Sequence, residues 1–506
     1  MRAGWVEPVQ LAVRMCVAVV TIWTNNCFIF HMKIKFLLLG WFMAGFVLLA
    51  NAGSLQRLGH TTLTPRHSSP DDKGMYCAVI DRTNGYAYFV GSYLFKLDIT
   101  WNLPVPVGTN LQTGQSSEAA IDPAAGYAYL PKGNGIINRI ALGTGTNSPG
   151  TAGSLTLTGT GATSIVIDDS DPNPANHYGY VLCSGTPATV VKVALASFTA
   201  VSSLTLNAGE NNFAWGEIDT KNGYAYFASY ILFNAPAIPQ IVKIKLTPGT
   251  NAPIRLGAVS LGATPVPLWT ASIDTLHGYA YYATDNGTTN IPETVFKVKL
   301  GDGDALPTPV PFGGVSFKTN EVQITSQFVD PVGGYIYFND DNTYPGRVYQ
   351  FTLNGTNPPV EMGYLQLQGG SQTPPPNGVS GNNTTTNADG ILPLGEVYLR
   401  SAVFDPVHGF AYIGQDSRPN QVVKLQVARD TPVITSSAML PGSTFQLGYT
   451  NTPGVAGTVL ATTNVTLSVS NWNALGTAAE ISSGQFQFAD PQATNYPRRF
   501  YRIRSP

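Results

Sequence analysis

The sequence predicts an all-β protein whose main part is a seven-bladed β-propeller, followed by a small β-sandwich. Three observations support this fold class. Charged residues make up only 11% of the 506 residues, whereas they make up about 25% of a typical soluble domain. Glycine and proline number 52 and 37, and many of them stand in turn-like clusters. Finally, one short sequence unit recurs seven times, with a period typical of propeller blades.

The recurring unit reads Ile-Asp-x-x-x-Gly-Tyr-Ala-Tyr, then a loop, then Val-Val-Lys-Val-x-Leu. The Asp starts a turn by accepting hydrogen bonds from the backbone, and the Gly supplies the positive φ that leads into the next strand. Large apolar side chains around a small Ala predict a strand buried on both faces. The Gly–aromatic pairs begin at Gly85, Gly126, Gly179, Gly223, Gly278, Gly334 and Gly409.

Each unit predicts four short antiparallel strands, which we name A to D in chain order. Strand A ends at the repeated Asp, strand B follows the Gly, and strand C carries a basic residue. Four such strands per unit, repeated seven times, are typical of a propeller. Because the Asp and the basic residue recur with the repeat, we interpret them as blade structure rather than as catalytic acid–base pairs. The basic residues are Lys96, Arg139, Lys192, Lys243, Lys297 and Lys424.

The two ends of the repeat region predict a closed ring. The seventh unit has no strand D of its own before a linker at 430–437, whereas residues 55–63 resemble the fourth unit's strand D at 254–261. We therefore predict that residues 54–63 pair with 422–427 and complete the last blade, so that no sheet edge stays open. The predicted propeller spans residues 53–429.

The repeats resemble those of secreted bacterial β-propeller proteins of the YVTN/WD40-like superfamily, in a variant reading Ile-Asp-Pro-x-x-Gly-Tyr-Ala-Tyr-Phe. The resemblance covers about residues 54–428 and implies the fold, but such propellers serve many roles. Residues 438–506 carry a different β pattern, with strands predicted at 444–449, 458–463, 473–476, 484–488 and 499–504. This predicted sandwich resembles modules appended to the C-terminus of large secreted bacterial proteins.

Residues 32–52 predict a signal peptide, because basic Lys33 and Lys35 precede an apolar stretch and an Ala-Asn-Ala cleavage site at 50–52. Residues 1–31 are interpreted as an overlong gene start, with a two-segment membrane anchor as the alternative. The predicted protein is therefore secreted or cell-surface, and meets the membrane only through its signal peptide. Two cysteines of the mature chain, Cys77 and Cys183, are predicted to be buried thiols rather than a disulfide.

Loop lengths favour one face of the propeller as the binding surface. In an antiparallel blade, the B–C and D–A loops emerge on the same face, and the longest insertions of this chain fall there, including residues 369–395. Functional residues are often carried by such loops. The ligand-binding residues predicted on this face are Trp215, Tyr230, Trp269, Asp285, Asp340, Asp341, Tyr344 and Asp416.

An acidic insert in the third unit suggests one metal site. Asp169, Asp171 and Asn173 match the start of a calcium loop of the form D-x-D-x-N. However, Pro174 stands where such a loop has Gly, and Tyr180 stands where it has Glu. A solvated acidic loop is therefore the alternative. Calcium is the one cofactor considered, and otherwise none is predicted.

Charge and composition narrow the function classes. A net charge of −2 and a pI of about 6.3 leave no basic surface for nucleic acid. No His stands at a spacing typical of nucleophilic catalysis. The predicted function is a monomeric, non-enzymatic propeller that binds an extracellular protein or polysaccharide. One alternative is a glycoside hydrolase or polysaccharide lyase that pairs Asp285 with Asp340 or Asp341. The other alternative is a structural surface or matrix module.

Overall fold

The computed structural model describes residues 55–63, 74–113, 118–157, 161–229, 238–263, 265–285, 292–318, 323–341, 343, 345–369, 395–416, 420–427, 432–451, 457–482 and 484–504. The predicted gene start, the predicted signal peptide, Tyr230 and Tyr344 lie outside these residues. Within the described ranges, no helix has the length and apolar character that crossing a bilayer requires.

The described residues before 428 form seven antiparallel sheets, numbered 1 to 7 by the chain order of their strands A, and each contains strands A to D side by side in that order. Strands A are Cys77–Asp81, Ala120–Asp122, Gly161–Asp168, Phe213–Asp219, Leu268–Asp274, Ile324–Asp330 and Leu399–Asp405. Strands B are Tyr86–Val90, Tyr127–Pro131, Tyr178–Ser184, Tyr224–Ser229, Tyr279–Thr284, Tyr335–Asp340 and Phe410–Gln415. Strands C are Tyr93–Asp98, Ile136–Ala141, Thr189–Ala194, Gln240–Lys245, Thr294–Lys299, Arg347–Thr352 and Gln421–Gln426.

The position of strand D is filled in different ways. Sheets 2 to 6 have one continuous strand each, at Gly150–Thr156, Thr199–Thr205, Ile254–Ser260, Thr308–Ser316 and Val360–Gln366. In sheet 1 two short pieces, Val105–Pro106 and Leu111–Gln112, both pair with strand C. In sheet 7 the N-terminal strand Gln56–Thr62 takes this position, with Gln56 opposite Gln426 and Thr62 opposite Gln421. The pairing predicted between the two ends of the repeat region is therefore confirmed.

The sheets contact one another through their strands A and through apolar side chains. Each strand A contacts the strand A of the next sheet, and that of sheet 7 contacts that of sheet 1. A hydrophobic cluster lies between every neighbouring pair of sheets. The strand B tyrosines, for example Tyr180 and Tyr226, are almost fully buried, as their pattern predicts. Cys77 and Cys183 are buried, as predicted, and they form no disulfide within the described residues.

The repeated Asp side chains accept hydrogen bonds within the A–B turns, and the repeated Lys side chains connect each sheet to the next. Oδ1 of Asp219 accepts a hydrogen bond from the backbone N–H of Asn222, and Gly223 follows with a φ of +78°. Nζ of Lys243 lies 4.2 Å from the centre of the Tyr224 ring. It also donates to backbone carbonyls at positions 300, 301, 303 and 305, in the next sheet's C–D connection. The interpretation of these residues as blade structure is confirmed.

Two further sheets follow the repeats. One contains Val433–Leu440, Thr444–Thr450, Gln485–Asp490 and Ala479–Ser482, and the other contains Asn473–Thr477, Thr458–Thr462 and Phe500–Arg504. Single-turn 3-10 helices lie at Pro174–Asn176, Val469–Asn471 and Ala493–Asn495. Leu447, Tyr449 and Val459 share one hydrophobic cluster that joins both sheets. The first strand begins inside the predicted linker 430–437, where the β-branched residues at 433–435 favour a strand.

Candidate functional site

Strands A of all seven sheets line a cavity of about 470 Å³. The lining residues come mainly from the beginnings of these strands, which is the end that the D–A connections enter. A second cavity of about 620 Å³ opens at the other end and shares Ala78, Glu217 and Gln327 with the first. We call the two together the central channel, and the first end its mouth. The volume of the first cavity lies in the range of sites that hold one small ligand or a short segment of a polymer.

Backbone bulges place side chains at the mouth. In five of the seven sheets, strand A has an extra residue near its beginning, relative to strand B. In sheets 5, 6 and 7 the extra residues are Trp269, Thr325 and Arg400, and all three line the cavity. A bulge bends its strand and changes the direction of the side chains beside it. The sequence pattern does not reveal these bulges because they depend on the register between strands.

Trp215 and Trp269 form an aromatic pair at the mouth. Their ring centres lie 6.5 Å apart at an angle of 51°. Nε1 of Trp215 donates to the backbone carbonyl of Leu268 at 2.8 Å, which orients the indole. Both residues were predicted as ligand-binding from the loop asymmetry, and the structure places both on the cavity wall.

Two glutamates share this cavity, although they are far apart in the sequence. Glu118 precedes strand A of sheet 2, and Glu217 lies within strand A of sheet 4. Burial raises the pKa of Glu118 well above its ordinary value, against the effect of hydrogen bonds from Ser164 and the Gly216 backbone, and the nearby Glu217 raises it further. Burial also raises the pKa of Glu217, to about 8. The Glu217 carboxyl group therefore holds its proton near neutral pH.

The sequence analysis missed both glutamates, although one signal for Glu217 was present. Glu217 stands two residues before the repeated Asp219, at a position where the other six copies have no charged residue. A strand that lines the interior of a ring gains nothing in stability from an isolated acid, so this departure from the repeat points to function. The equivalent residues are Val79, Ala120, Val166, Ser272, Phe328 and Val403.

Two buried oxygen atoms on the cavity wall have no hydrogen-bond partner among the described residues. Nε2 of Gln327 donates to Ser272 Oγ and to the Tyr281 carbonyl, at 2.9 and 2.7 Å, and its Oε1 is left without a donor. Oγ of Ser401 is the second such atom. The side chains are only 7% and 2% exposed. Because buried polar atoms are nearly always paired, these two are positioned to meet a ligand or a water molecule.

The predicted aspartates lie together around Arg400. Nη2 of Arg400 is 2.6 Å from Oδ2 of Asp341, and its Nε is 3.6 Å from Oδ2 of Asp416. Burial raises the pKa of Asp341 to about 7, against the opposing effect of Arg400, and the charges of Asp416, Asp340 and Asp285 contribute to the rise.

These aspartates support loops and Arg400 rather than lining the described cavity. Asp340 accepts hydrogen bonds from the Gln323 backbone N–H and the Thr343 hydroxyl, at 3.1 and 2.8 Å. The carboxyl groups on the described cavity wall are Glu118, Asp169 and Glu217, so the suggested pairing of Asp285 with Asp340 or Asp341 does not coincide with it.

The predicted calcium loop uses its side chains within the loop. Oδ1 of Asp171 accepts from the Asn173 backbone N–H at 2.8 Å, and Oδ2 accepts from the Asn176 side chain at 2.9 Å. Oδ1 of Asn173 caps the 3-10 helix that follows. Asp169 instead lines the central channel. Across the described part of the chain, no group of three His, Cys, Asp or Glu is arranged to hold a metal ion. Calcium binding stays a prediction that these contacts do not favour.

Comparisons with known proteins agree with the fold class only. No protein-family model matches the chain, and no curated protein does either. The chain is similar to the solved structure of U3-55K, with 10% identity, 73% of this chain and 98% of that chain covered, and a TM-score of 0.47. The chain is also similar to the solved structure of the RRP9 WD40 repeats, with 10% identity, 74% of this chain and 98% of that chain covered, and a TM-score of 0.45.

A third solved structure is a candidate 6-phosphogluconolactonase from Bacteroides fragilis, with 12% identity, 69% of this chain and 89% of that chain covered, and a TM-score of 0.45. Similarity at this level carries no functional argument. The fold assignment depends on the strand pairing and on the contacts between strands A. The chain has a propeller-type repeat fold.

Proposed function

We propose that this protein is a secreted or cell-surface, seven-bladed β-propeller with a C-terminal β-sandwich, and that it binds a polysaccharide at the mouth of its central channel. The blade count is supported by seven sheets whose strands A contact one another in a closed series. The sandwich is supported by two C-terminal sheets that share one hydrophobic cluster. Secretion is inferred from the signal-peptide pattern at residues 32–52.

The aromatic pair of Trp215 and Trp269 carries the proposal for a sugar ligand. The C–H faces of sugar rings pack on aromatic rings, while their hydroxyl groups hydrogen-bond to polar side chains around them. This cavity supplies both, because Ser401 and Gln327, which line the same cavity as the indoles, have unpartnered oxygens. A polysaccharide is favoured over a protein, because stable protein partners usually need about 800 Å² of contact surface on each side, whereas this site is concave and small.

Glycan-array screening followed by calorimetry on the full chain tests this function. Trp215→Ala and Trp269→Ala should each weaken binding of the selected glycan about tenfold or more, as is typical when a buried aromatic anchor is removed. Trp101→Ala is the matched control, because Trp101 is 62% exposed and lies outside the cavity wall. If the wild-type protein bound no glycan, or both alanine variants bound as well as the control, the proposal would be wrong.

Glycoside cleavage is a second candidate, and the placement of Glu118 and Glu217 in one cavity favours it. A protonated carboxyl group can donate its proton to a glycosidic oxygen. The test is release of reducing ends from the glycans that bind. Cleavage by the wild type and its loss in Glu217→Gln would support an enzyme, whereas binding without cleavage would leave a binding protein.

A further inference from the structure

The wall of the channel mouth presents oxygen atoms that can accept hydrogen bonds from a ligand. Oε1 of Gln327 has no partner among the described residues. The carboxyl group of Glu217 likewise has no hydrogen-bond or ion-pair partner there. A ligand group that donates more than one hydrogen bond complements these two side chains.

The wall also carries several carboxyl groups. Arg400, a basic side chain of this cavity, forms ion pairs with Asp341 and Asp416. At the opposite end of the channel, the guanidinium of Arg82 donates to the backbone carbonyl of Phe404. Burial raises the pKa values of Tyr76 and Cys77, so these two side chains are neutral at physiological pH. The remaining titratable groups of the cavity are Glu118, Asp169 and Glu217.

Trp215, one member of the aromatic pair, lies close to the unpartnered acid on the same strand. Trp215 and Glu217 are two residues apart, after the bulge of strand A in sheet 4. Side chains at this spacing point to the same side of a strand. Glu217 therefore lies one step deeper in the channel than the indole of Trp215.

We propose that the channel mouth binds a primary ammonium group carried by a sugar, as in glucosamine units, with Glu217 as its ion-pair partner. An ammonium group has three donors and no acceptor, which suits Oε1 of Gln327 and the carboxyl group of Glu217. Cations also pack favourably against the face of Trp. A bound cation favours the ionised form of a partly buried carboxyl group and becomes its ion-pair partner. This inference depends on the proposed function, because it uses the same cavity and the same indoles.

Binding of an amine at this site should release protons. Near pH 7 Glu217 holds its proton, because its pKa is about 8. An ammonium group beside it favours the carboxylate and lowers this pKa, so a proton leaves when the ligand binds. Below about pH 7, where the sugar amine stays largely protonated, the affinity for an amino sugar should therefore rise with pH, while the affinity for an uncharged sugar should not.

Calorimetry on the full chain with three probes tests the inference: trimers of glucosamine, of N-acetylglucosamine and of glucose. The glucosamine trimer should bind about tenfold more tightly than the others at pH 7, with proton release measured from buffers of different ionisation heat. Glu217→Gln should remove both the preference and the proton release. Asp302→Asn, at a carboxyl group that is 96% exposed, should change neither.

The outcomes separate this inference from the function on which it depends. If the uncharged trimers bind as tightly as the glucosamine trimer, or if no proton is released, the ammonium site is wrong and polysaccharide binding still stands. If no glycan on the array or among these trimers binds, the proposed function fails and the ammonium site fails with it. Should Glu217→Gln not fold, the affinities and proton release of the wild type decide the question alone.

Discussion

Arg57 and Glu396 are 339 residues apart in the chain, and Nε of Arg57 donates to Oε2 of Glu396 at 2.6 Å. Sheet 4 contains the same contact, in which Nε of Arg255 donates to Oε2 of Glu210 at 2.9 Å. In both pairs the Arg lies in strand D, and the Glu lies in the connection that leads into strand A of the same sheet. The N-terminal strand is thus the structural equivalent of an ordinary strand D, and Glu396 attaches it to sheet 7.

Glu396→Gln should loosen the N-terminal strand. Glu396 is 1% exposed and also contacts His60, so its neutral replacement weakens a buried, charge-assisted network. We expect the free energy of unfolding in urea to fall by about 1–3 kcal/mol, with faster proteolysis before residue 63. Glu210→Gln is the matched control, because it breaks the equivalent pair without touching the N-terminal strand. Equal protease sensitivity of the two variants would contradict this account of closure.

Lys243→Met should destabilise the protein more than Lys245→Met, although both residues lie on the same strand. Lys243 is fully buried and donates to several carbonyl groups of the next sheet, which its loss leaves without a partner. The expected loss is about 1–3 kcal/mol of unfolding free energy. Lys245 makes an exposed ion pair with Asp304, for which a much smaller loss is expected. Denaturant unfolding of both variants measures the difference, and similar losses would show that the buried Lys contributes little.

His177 should contribute a pH-dependent part of the stability. Burial lowers its pKa, but hydrogen bonds to the Asp122 carboxylate and to the Asp171 carbonyl outweigh this effect and raise it above the ordinary value. A raised pKa of a base stabilises the fold fully below the unfolded value of about 6.5, and this contribution disappears as the pH rises through the folded value. His177→Gln should therefore cost more at pH 5.5 than at pH 8 in urea unfolding. The same comparison for His408→Gln, at a 67% exposed His, should give only a small cost at both pH values.

Glu217 should destabilise the fold when it is ionised, whereas protonated His177 stabilises it. Its pKa rises from 4.5 to about 8 on folding, so between these values the folded chain keeps a proton that the unfolded chain has lost. Stability therefore falls as the pH rises across this window. Because Gln has no proton to lose, Glu217→Gln should gain stability relative to the wild type between pH 5 and pH 8. Chemical unfolding at the two pH values measures this, and a constant difference would mean that Glu217 is ionised in the fold.

The repeats allowed much of the fold to be predicted, and the candidate site only in part. The Asp–turn–Gly signal predicted strand B in six of the seven units, since the residues that determine it are neighbours in the chain. The third unit departs from this signal, because Asp168 stands eleven residues before Gly179 and Gly179 lies inside the strand. Trp215 and Trp269 were predicted because they stand at the beginnings of strands A. Their closeness was not, since it depends on the contact between two sheets and, at Trp269, on a bulge. The exposed strand Val433–Leu440 was missed, because it has no alternating apolar pattern.

By itself, the sequence determined the repeat, the strands of its units and the pairing of the two ends of the repeat region, because turn chemistry and side-chain alternation are local properties. Only the tertiary structure decided which side chains share the channel. Glu118 and Glu217 are 99 residues apart in the sequence, and they share one cavity because all strands A converge on it. Their raised pKa values are likewise a property of the assembled sheets, since it is burial that makes their charged forms unfavourable.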